Sequence, residues 1–223
     1  MKKHLQKNRN IRLVYFNFPF WRVDICKIAL AIGKIPYENR IISRKYFIKN
    51  KETDEFPFGQ VPVLIFKKIK IAQTGAMIRF CGKLSGLYPK DDIKCALVDQ
   101  SVGFANDLTN LIIPSIREKN ENKKKELREK LSKVVIPRWL GYLERFYVNH
   151  REGKYFLSKS LTIADIIIWR ILLWVSSGKL EFIPQNILEN FFEINSYFKN
   201  ISDNKNINGT CEYKHILSHQ TTL

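Results

Sequence analysis

FGQVPVLIFKKIKIAQTGAMIRF, residues 58–80, carries three elements and the joints between them. VPVLIF (61–66) is a β-branched and aromatic run, IKIA (69–72) is a second, and Lys67-Lys68 is the turn between them, so a short hairpin is predicted. Gln73-Thr74 then opens a helix running to about Ser85, with Thr74 as its N-cap. Pro62 sits where the first strand of the hairpin opens.

Upstream, IRLVYF (11–16) follows a polar lead and reads as a strand. From Val23 the period changes: Ile25, Ile28, Ala29 and Ile32 share one helix face. Gly33 is placed for a left-handed C-cap, and Pro36 blocks continuation. Tyr37 to Ile42 reads as another strand, and the polar stretch 43–58 as holding a short helix. The order β-α-β then β-β-α, with a proline opening the third strand, suggests a thioredoxin-like fold. In that fold the Val61-Pro62 bond is cis, and Val61 offers its backbone to a thiol-bearing peptide. The alternative is an ordinary trans proline at a strand edge.

Downstream of Asp91 the strand signals vanish. Helical periodicity covers 92–116, 123–149, 162–177 and 186–200. Leu161-Thr162-Ile163-Ala164-Asp165-Ile166 has the form of a capping box on Thr162 and Asp165, with Leu161 and Ile166 as its hydrophobic staple. Asp165 therefore reads first as a structural residue and second as a catalytic carboxylate. Residues 86–92 have linker composition. The expected organisation is a basic extension (1–10), an α/β domain (11–88) and an all-helical domain with a C-terminal tail (89–223).

At 223 residues the chain can bury a core without staples. Cys26, Cys81, Cys95 and Cys211 form no C-x-x-C pair, which argues against a disulfide framework or zinc ribbon and fits a reducing, cytoplasmic setting. The formal charge is +17. It is spread as lysine through an Asn- and Ile-rich chain with no recognition motif beside it, so nucleic acid is not the expected partner. MKKHLQKNRN at the start precedes no apolar run of signal-peptide length. The most apolar stretch, 163–175, is interrupted by Asp165 and Arg170 and is too short for a bilayer span.

Five segments, LVYFN (13–17), FGQVPVL (58–64), QTGAMIRF (73–80), ALVDQ (96–100) and LTIAD (161–165), lie in the order and spacing of the cytosolic glutathione transferases. The chain resembles their tyrosine-type classes, sigma-like ones in particular. The resemblance implies a thioredoxin-like N-terminal domain followed by an all-α C-terminal domain. It implies conjugation of glutathione, as co-substrate rather than cofactor, to small hydrophobic electrophiles in a homodimer, with no metal. Tyr15 matches the tyrosine whose hydroxyl donates to the glutathione sulfur; a neutral phenol stabilises thiolate over thiol and lowers the sulfur's pKa. Gln60, Val61 and Pro62 match the segment that pairs with the cysteinyl backbone. Gln73 and Thr74 match the pair holding the γ-glutamyl carboxylate, at a helix N-terminus suited to anions. Asp99 matches the acid reaching across the dimer, with a solvated helix carboxylate as the alternative. Phe58 falls where several classes put an aromatic key into the partner, or else is core.

The chain departs from the family pattern after Tyr15. Phe18-Pro19-Phe20-Trp21-Arg22 is bulkier and one residue longer than usual, with Arg22 matching the arginine near glutathione. Of Phe47, Lys49 and Lys51, Lys51 is taken as the contact for the glycyl carboxylate. The electrophile pocket is expected between Phe18, Phe20 and the first C-terminal helix through Phe104, Leu108, Leu111 and Ile112, although the same spacing also describes core. Gly75 weakens its helix. Cys26 lies mid-helix, a poor nucleophile position; Cys81 and Cys95 read as buried. KKKELREK (123–130) reads as a solvated face. His215 and His219, four apart in a polar tail, lack an acid or cysteine to complete a metal site. From another functional class comes the alternative of a non-catalytic ligand-binding or docking protein of this fold; a glutathione-dependent isomerase or peroxidase is the nearer alternative.

Overall fold

The computed structural model describes residues 10–218, so most of the basic extension and His219 lie outside the described residues. A four-stranded sheet is built from β1 (Ile11–Tyr15), β2 (Glu38–Ile41), β3 (Val63–Phe66) and β4 (Ile69–Ala72), in the order β2-β1-β3-β4. β1 pairs parallel to β2 across the helix α1 (Trp21–Ile32) and antiparallel to β3, and Lys67 makes the hairpin turn at φ 58°. α2 (Arg44–Asn50) is capped by Ser43, whose hydroxyl accepts from the amide of Tyr46. It covers a small core of Val14, Ile42, Phe56 and Val63 through Phe47. α3 (Thr74–Ser85) packs beside α1 on the other face of the sheet, over the larger core.

Several local expectations change. Gly33 does not cap α1 in the left-handed region; its φ is −72°, and Lys34 takes the positive φ. Glycine is needed there for another reason: a Cβ would lie 2.8 Å from the Ser85 Cβ, where α1 and α3 end side by side. Thr74 is the first residue of α3 rather than its N-cap, which is Gln73 at φ 69°. A Cβ at Gly75 would make only an ordinary contact, at 3.4 Å, with Val102 of α4 (Asp92–Arg117). Residues 86–92 are no loose linker: Leu87 and Tyr88 are buried, and left-handed Gly86 ends α3.

The remaining helices are α5 (Glu121–Lys130), α6 (Ile136–His150), α7 (Ile163–Val175), α8 (Phe192–Ser202), α9 (Lys205–Asn208) and α10 (Cys211–Ser218). The single helix expected over 123–149 is interrupted by a π segment, Leu131–Val135. Beyond it, after one residue, stands Pro137, whose ring clashes with a regular turn and which has no N–H for the bond to Lys133. A short hairpin, Arg151–Glu152 with Tyr155–Phe156, corrects the expectation of no strands beyond Asp91. α8 begins at Phe192, later than the pattern implied; Glu144 Oε1 on α6 accepts from the amides of Glu193 and Ile194, supplying the cap from another helix.

α7 is buried at every position. The Thr162–Asp165 capping box forms as expected, and Asp165 also accepts from the Phe156 amide and the Tyr197 hydroxyl. Burial pushes its carboxyl up to about 7 against these hydrogen bonds. α1 meets α7 across the two parts of the chain, where Arg170 Nε and Nη2 reach Asp24 Oδ2 at 3.0 and 2.9 Å, both side chains buried. Among the described residues no helix is long and apolar enough to cross a membrane, and no three His, Cys, Asp or Glu residues are grouped to hold a metal.

Candidate functional site

Val14 pairs with Val63, so one step further along the ladder Tyr15 stands level with Pro62. The Val61-Pro62 bond is cis. The turn before it passes through Gly59 at φ 58°, a conformation that favours a residue without Cβ. After the hairpin, Gln73 holds a non-glycine residue at positive φ, a strained conformation that recurs at ligand-binding positions. Arg22, Phe58, Gln60, Val61, Pro62, Ala72, Gln73 and Thr74 consequently line one shallow cleft at the N-terminus of α3. Six of the residues anticipated from sequence are thus brought together from three separate segments.

Arg22 links this cleft to Tyr15. Its guanidinium lies 5.1 Å from the Trp21 ring centre and donates to Thr74 Oγ1 at 3.5 Å. Burial lowers its pKa from the usual arginine value, and the Tyr15 hydroxyl acts in the opposite sense. The 18–22 loop is anchored: Trp21 is fully buried and Phe20 packs edge-on against Trp174, with ring centres 5.3 Å apart. Tyr15 is buried, with Phe16 and Phe18 against its ring. Burial raises its phenol pKa well above the ordinary value, Asp24 adds to this, and Arg22, Arg170 and Arg44 pull it back. The phenol is therefore neutral at any physiological pH, a hydrogen-bond donor and not a base.

Other anticipated residues fall elsewhere. Lys51 is an exposed side chain paired with Glu52 at 3.2 Å and does not line the cleft. Asp99 is held within its own chain by Arg79 Nη2 at 2.7 Å and the Tyr88 hydroxyl at 2.8 Å. Phe58 is 63% exposed, which excludes the core alternative. Leu108 and Ile112 are completely buried, because the inward stripe of α4 faces the core. Leu111 faces a separate cavity between α4 and α5, and Phe104 packs on Trp139. Cys95 is half-buried, its thiol donating to the Pro89 carbonyl, and all four cysteines are free.

Phe18 lines a cavity of about 220 Å³ that the sequence did not disclose. Phe16, Phe18, Ile41 and Ile216 form its apolar side; Asn17, Asp24, Lys27, Asn39, Glu212 and His215 contribute polar groups. α10 closes it, tied to the sheet by the Tyr37 hydroxyl donating to Glu212 Oε1 at 2.6 Å. Nothing local in 211–218 marks this role, since the helix meets its partners only through the fold.

Two family models match the chain, "Glutathione S-transferase, N-terminal domain" at residues 12–81 and "Glutathione S-transferase, C-terminal domain" at residues 106–209. The chain is 31% identical to a hematopoietic prostaglandin D synthase of Gallus gallus over 156 residues, 70% of this chain and 74% of that protein. It is 28% identical to a glutathione S-transferase of Anopheles gambiae over 196 residues, 88% and 92% of the two chains. In fold it is similar to a Pi-class glutathione S-transferase of Onchocerca volvulus, with TM-score 0.78 and 19% identity over 94% of this chain and 95% of that one.

Proposed function

The chain belongs to the glutathione S-transferase family, and from that premise we propose that it joins the glutathione thiolate to small hydrophobic electrophiles, with Tyr15 as the catalytic residue. The observation carrying this reading is the neutral, buried Tyr15 phenol next to a cleft that gathers Arg22, Gln60, Val61, Pro62, Gln73 and Thr74. Arg22 and the α3 N-terminus offer positive charge and amides to the γ-glutamyl carboxylate. Val61 presents its backbone to the cysteinyl unit. The Tyr15 hydroxyl then donates to the sulfur and favours its ionised form.

The pKa effect by itself is small. Lowering a thiol from about 8.5 by about two units raises the thiolate at pH 7 from roughly 3% to roughly 75%. A Brønsted slope of about 0.45 returns roughly eightfold in lost nucleophilicity, leaving a gain of about threefold. Most of the rate must therefore come from holding the electrophile near the sulfur. The cavity beside Phe18 supports that part of the reading: it is apolar on one side, and its Phe18 and Phe16 touch the Tyr15 ring.

Glutathione acts here as co-substrate and no metal takes part. We place the chain with the tyrosine-type, sigma-like members, as a cytoplasmic homodimeric detoxification enzyme organised as an α/β unit over 11–88 and a helical unit from 89 onward. The exposed Phe58 supports a contact between subunits. The test is a titration of thiolate absorbance for glutathione bound to the wild type and to Tyr15→Phe. A bound pKa well below the free value, restored by removing the hydroxyl, is expected. A free-like pKa, or no binding, overturns the reading in favour of a non-catalytic ligand carrier.

A further inference from the structure

The positive charge is unevenly divided along the chain. Residues 11–88 hold fourteen Lys and Arg against five Asp and Glu, while residues 89–223 hold twenty against sixteen. The short segment 1–10 adds Lys2, Lys3, Lys7 and Arg9 with no acid. The topology gathers part of this charge at the end of the sheet opposite the Tyr15 cleft. Ile11 pairs with Phe66 and Arg12 with Glu38, so the β3–β4 turn, the loop before β2 and the start of β1 share that end. The contact of Gly33 with Ser85 brings the end of α3 there too. Lys34, Lys67, Lys68 and Lys83 stand on these turns and are all exposed. Asn10, where the basic extension joins the sheet, accepts from the Lys67 amide at 3.3 Å. Lys34 and Lys67 hold φ of 52° and 58°, where glycine or asparagine would be less strained, so lysine is kept at both turns against backbone preference. Among the described residues none of the four lysines is in an ion pair, and Glu38 at the start of β2 is held by Arg12 at 3.1 Å.

We propose that this end of the α/β part docks on an anionic bilayer surface. Each lysine within a Debye length of such a surface adds to the attraction, and the extension enters the fold at the same place. Beside Lys68 the exposed apolar side chain is aliphatic: Ile69, 64% exposed, suits the headgroup boundary. The neighbouring aromatic rings are taken. Lys67 Nζ lies 5.6 Å from the Phe66 ring centre, and Phe66 packs on Phe80. Lys83 Nζ lies 5.5 Å from the ring centre of buried Tyr88. No ring offers a platform for a base to stack on, which favours lipid over nucleic acid. In this orientation the Tyr15 cleft, at the other end of β1, stays open to solution. The docking surface stands independently of the reading of Tyr15.

The experiment is co-sedimentation of the full chain with sucrose-loaded vesicles of phosphatidylcholine alone and of phosphatidylcholine with 30 mol% phosphatidylserine, at about 50 and about 500 mM NaCl. Binding to the phosphatidylserine vesicles at low salt, release at high salt and no binding to phosphatidylcholine are expected. With about fivefold in partitioning per lysine, the triple variant Lys34→Glu, Lys67→Glu, Lys68→Glu should lose more than about twentyfold. Ile69→Ser should lose about threefold. The triple variant Lys119→Glu, Lys123→Glu, Lys159→Glu makes the same change in net charge on exposed sites of the helical part and should lose less than about threefold. Absence of binding to phosphatidylserine vesicles, equal binding to both vesicle types, or equal losses in the two triple variants overturns the proposal. Retention of the wild type on single-stranded RNA without binding to vesicles also overturns it, in favour of a polymeric anion. Circular dichroism of each variant establishes that it is folded.

Discussion

Asp165 shows how far a single residue can be read from its neighbours. Thr162 three positions earlier and an apolar run after it identify a capping box, and the box is there. Two further partners, the Phe156 amide and the Tyr197 hydroxyl, come from outside the motif and make the carboxyl a buried junction. Asp165→Ala leaves several buried donors unpaired and should cost about 3–5 kcal/mol, measured by urea unfolding. The pH dependence follows from its raised pKa of about 7. The unfolded chain ionises this group near 4, so its contribution is fully present below about pH 4 and is lost as pH rises through about 7. Stability should therefore fall between about pH 4 and 7 and level off above it, and Asp165→Asn should remove that part of the slope; an unchanged slope would assign it to other groups. Tyr15 was legible only through the family pattern, since a strand aromatic by itself signals core. Its burial agrees with both readings, and its place beside Arg22 and Pro62 favours the functional one.

At the scale of elements, period and breakers located β1, α1, the hairpin, α3, α4 and α7 to within a few residues. The misplaced boundaries share a cause: the group that ends or starts the element belongs to another one. Glu144 caps α8 from α6, so Glu144→Ala should lower stability by about 1 kcal/mol and fray the start of α8, seen as faster amide exchange at Glu193 and Ile194. Gly33 reads as a C-cap glycine, whereas it is kept small by Ser85 on α3. Gly33→Ala should accordingly destabilise by about 1–3 kcal/mol through overpacking, and Gly33→Ala combined with Ser85→Gly should recover part of the loss in thermal unfolding. For Leu108 and Ile112 the pattern left pocket and core both open, because an apolar helix stripe looks the same whether it faces a core or a ligand; they face the core.

Across the whole molecule, the α/β part is fastened to the helical part by the buried Arg170–Asp24 pair on α7 and α1. Arg170→Met strands a buried carboxylate and should cost about 3–5 kcal/mol, while Arg170→Met with Asp24→Leu should regain most of it, as unfolding midpoints of the three proteins would reveal. Asp99 is already held by Arg79 and Tyr88 in its own chain. In a dimer whose sites share residues, Asp99→Ala should weaken glutathione binding several-fold without unfolding the subunit; unchanged affinity would confine Asp99 to its intrachain network. The sequence by itself determined the order of an α/β part followed by a helical part and the capping box, because these rest on periodicities and motifs contained in contiguous segments; the proline segment and the residues of the cleft were legible through the family pattern. Only the tertiary structure decided that Lys51 stands outside the cleft and that α10 closes a cavity over Phe18. It alone placed Arg128, within a lysine-rich run, in the interior. Each of these depends on which residues distant in sequence are packed together, and that is fixed by the burial of whole faces rather than by any local pattern.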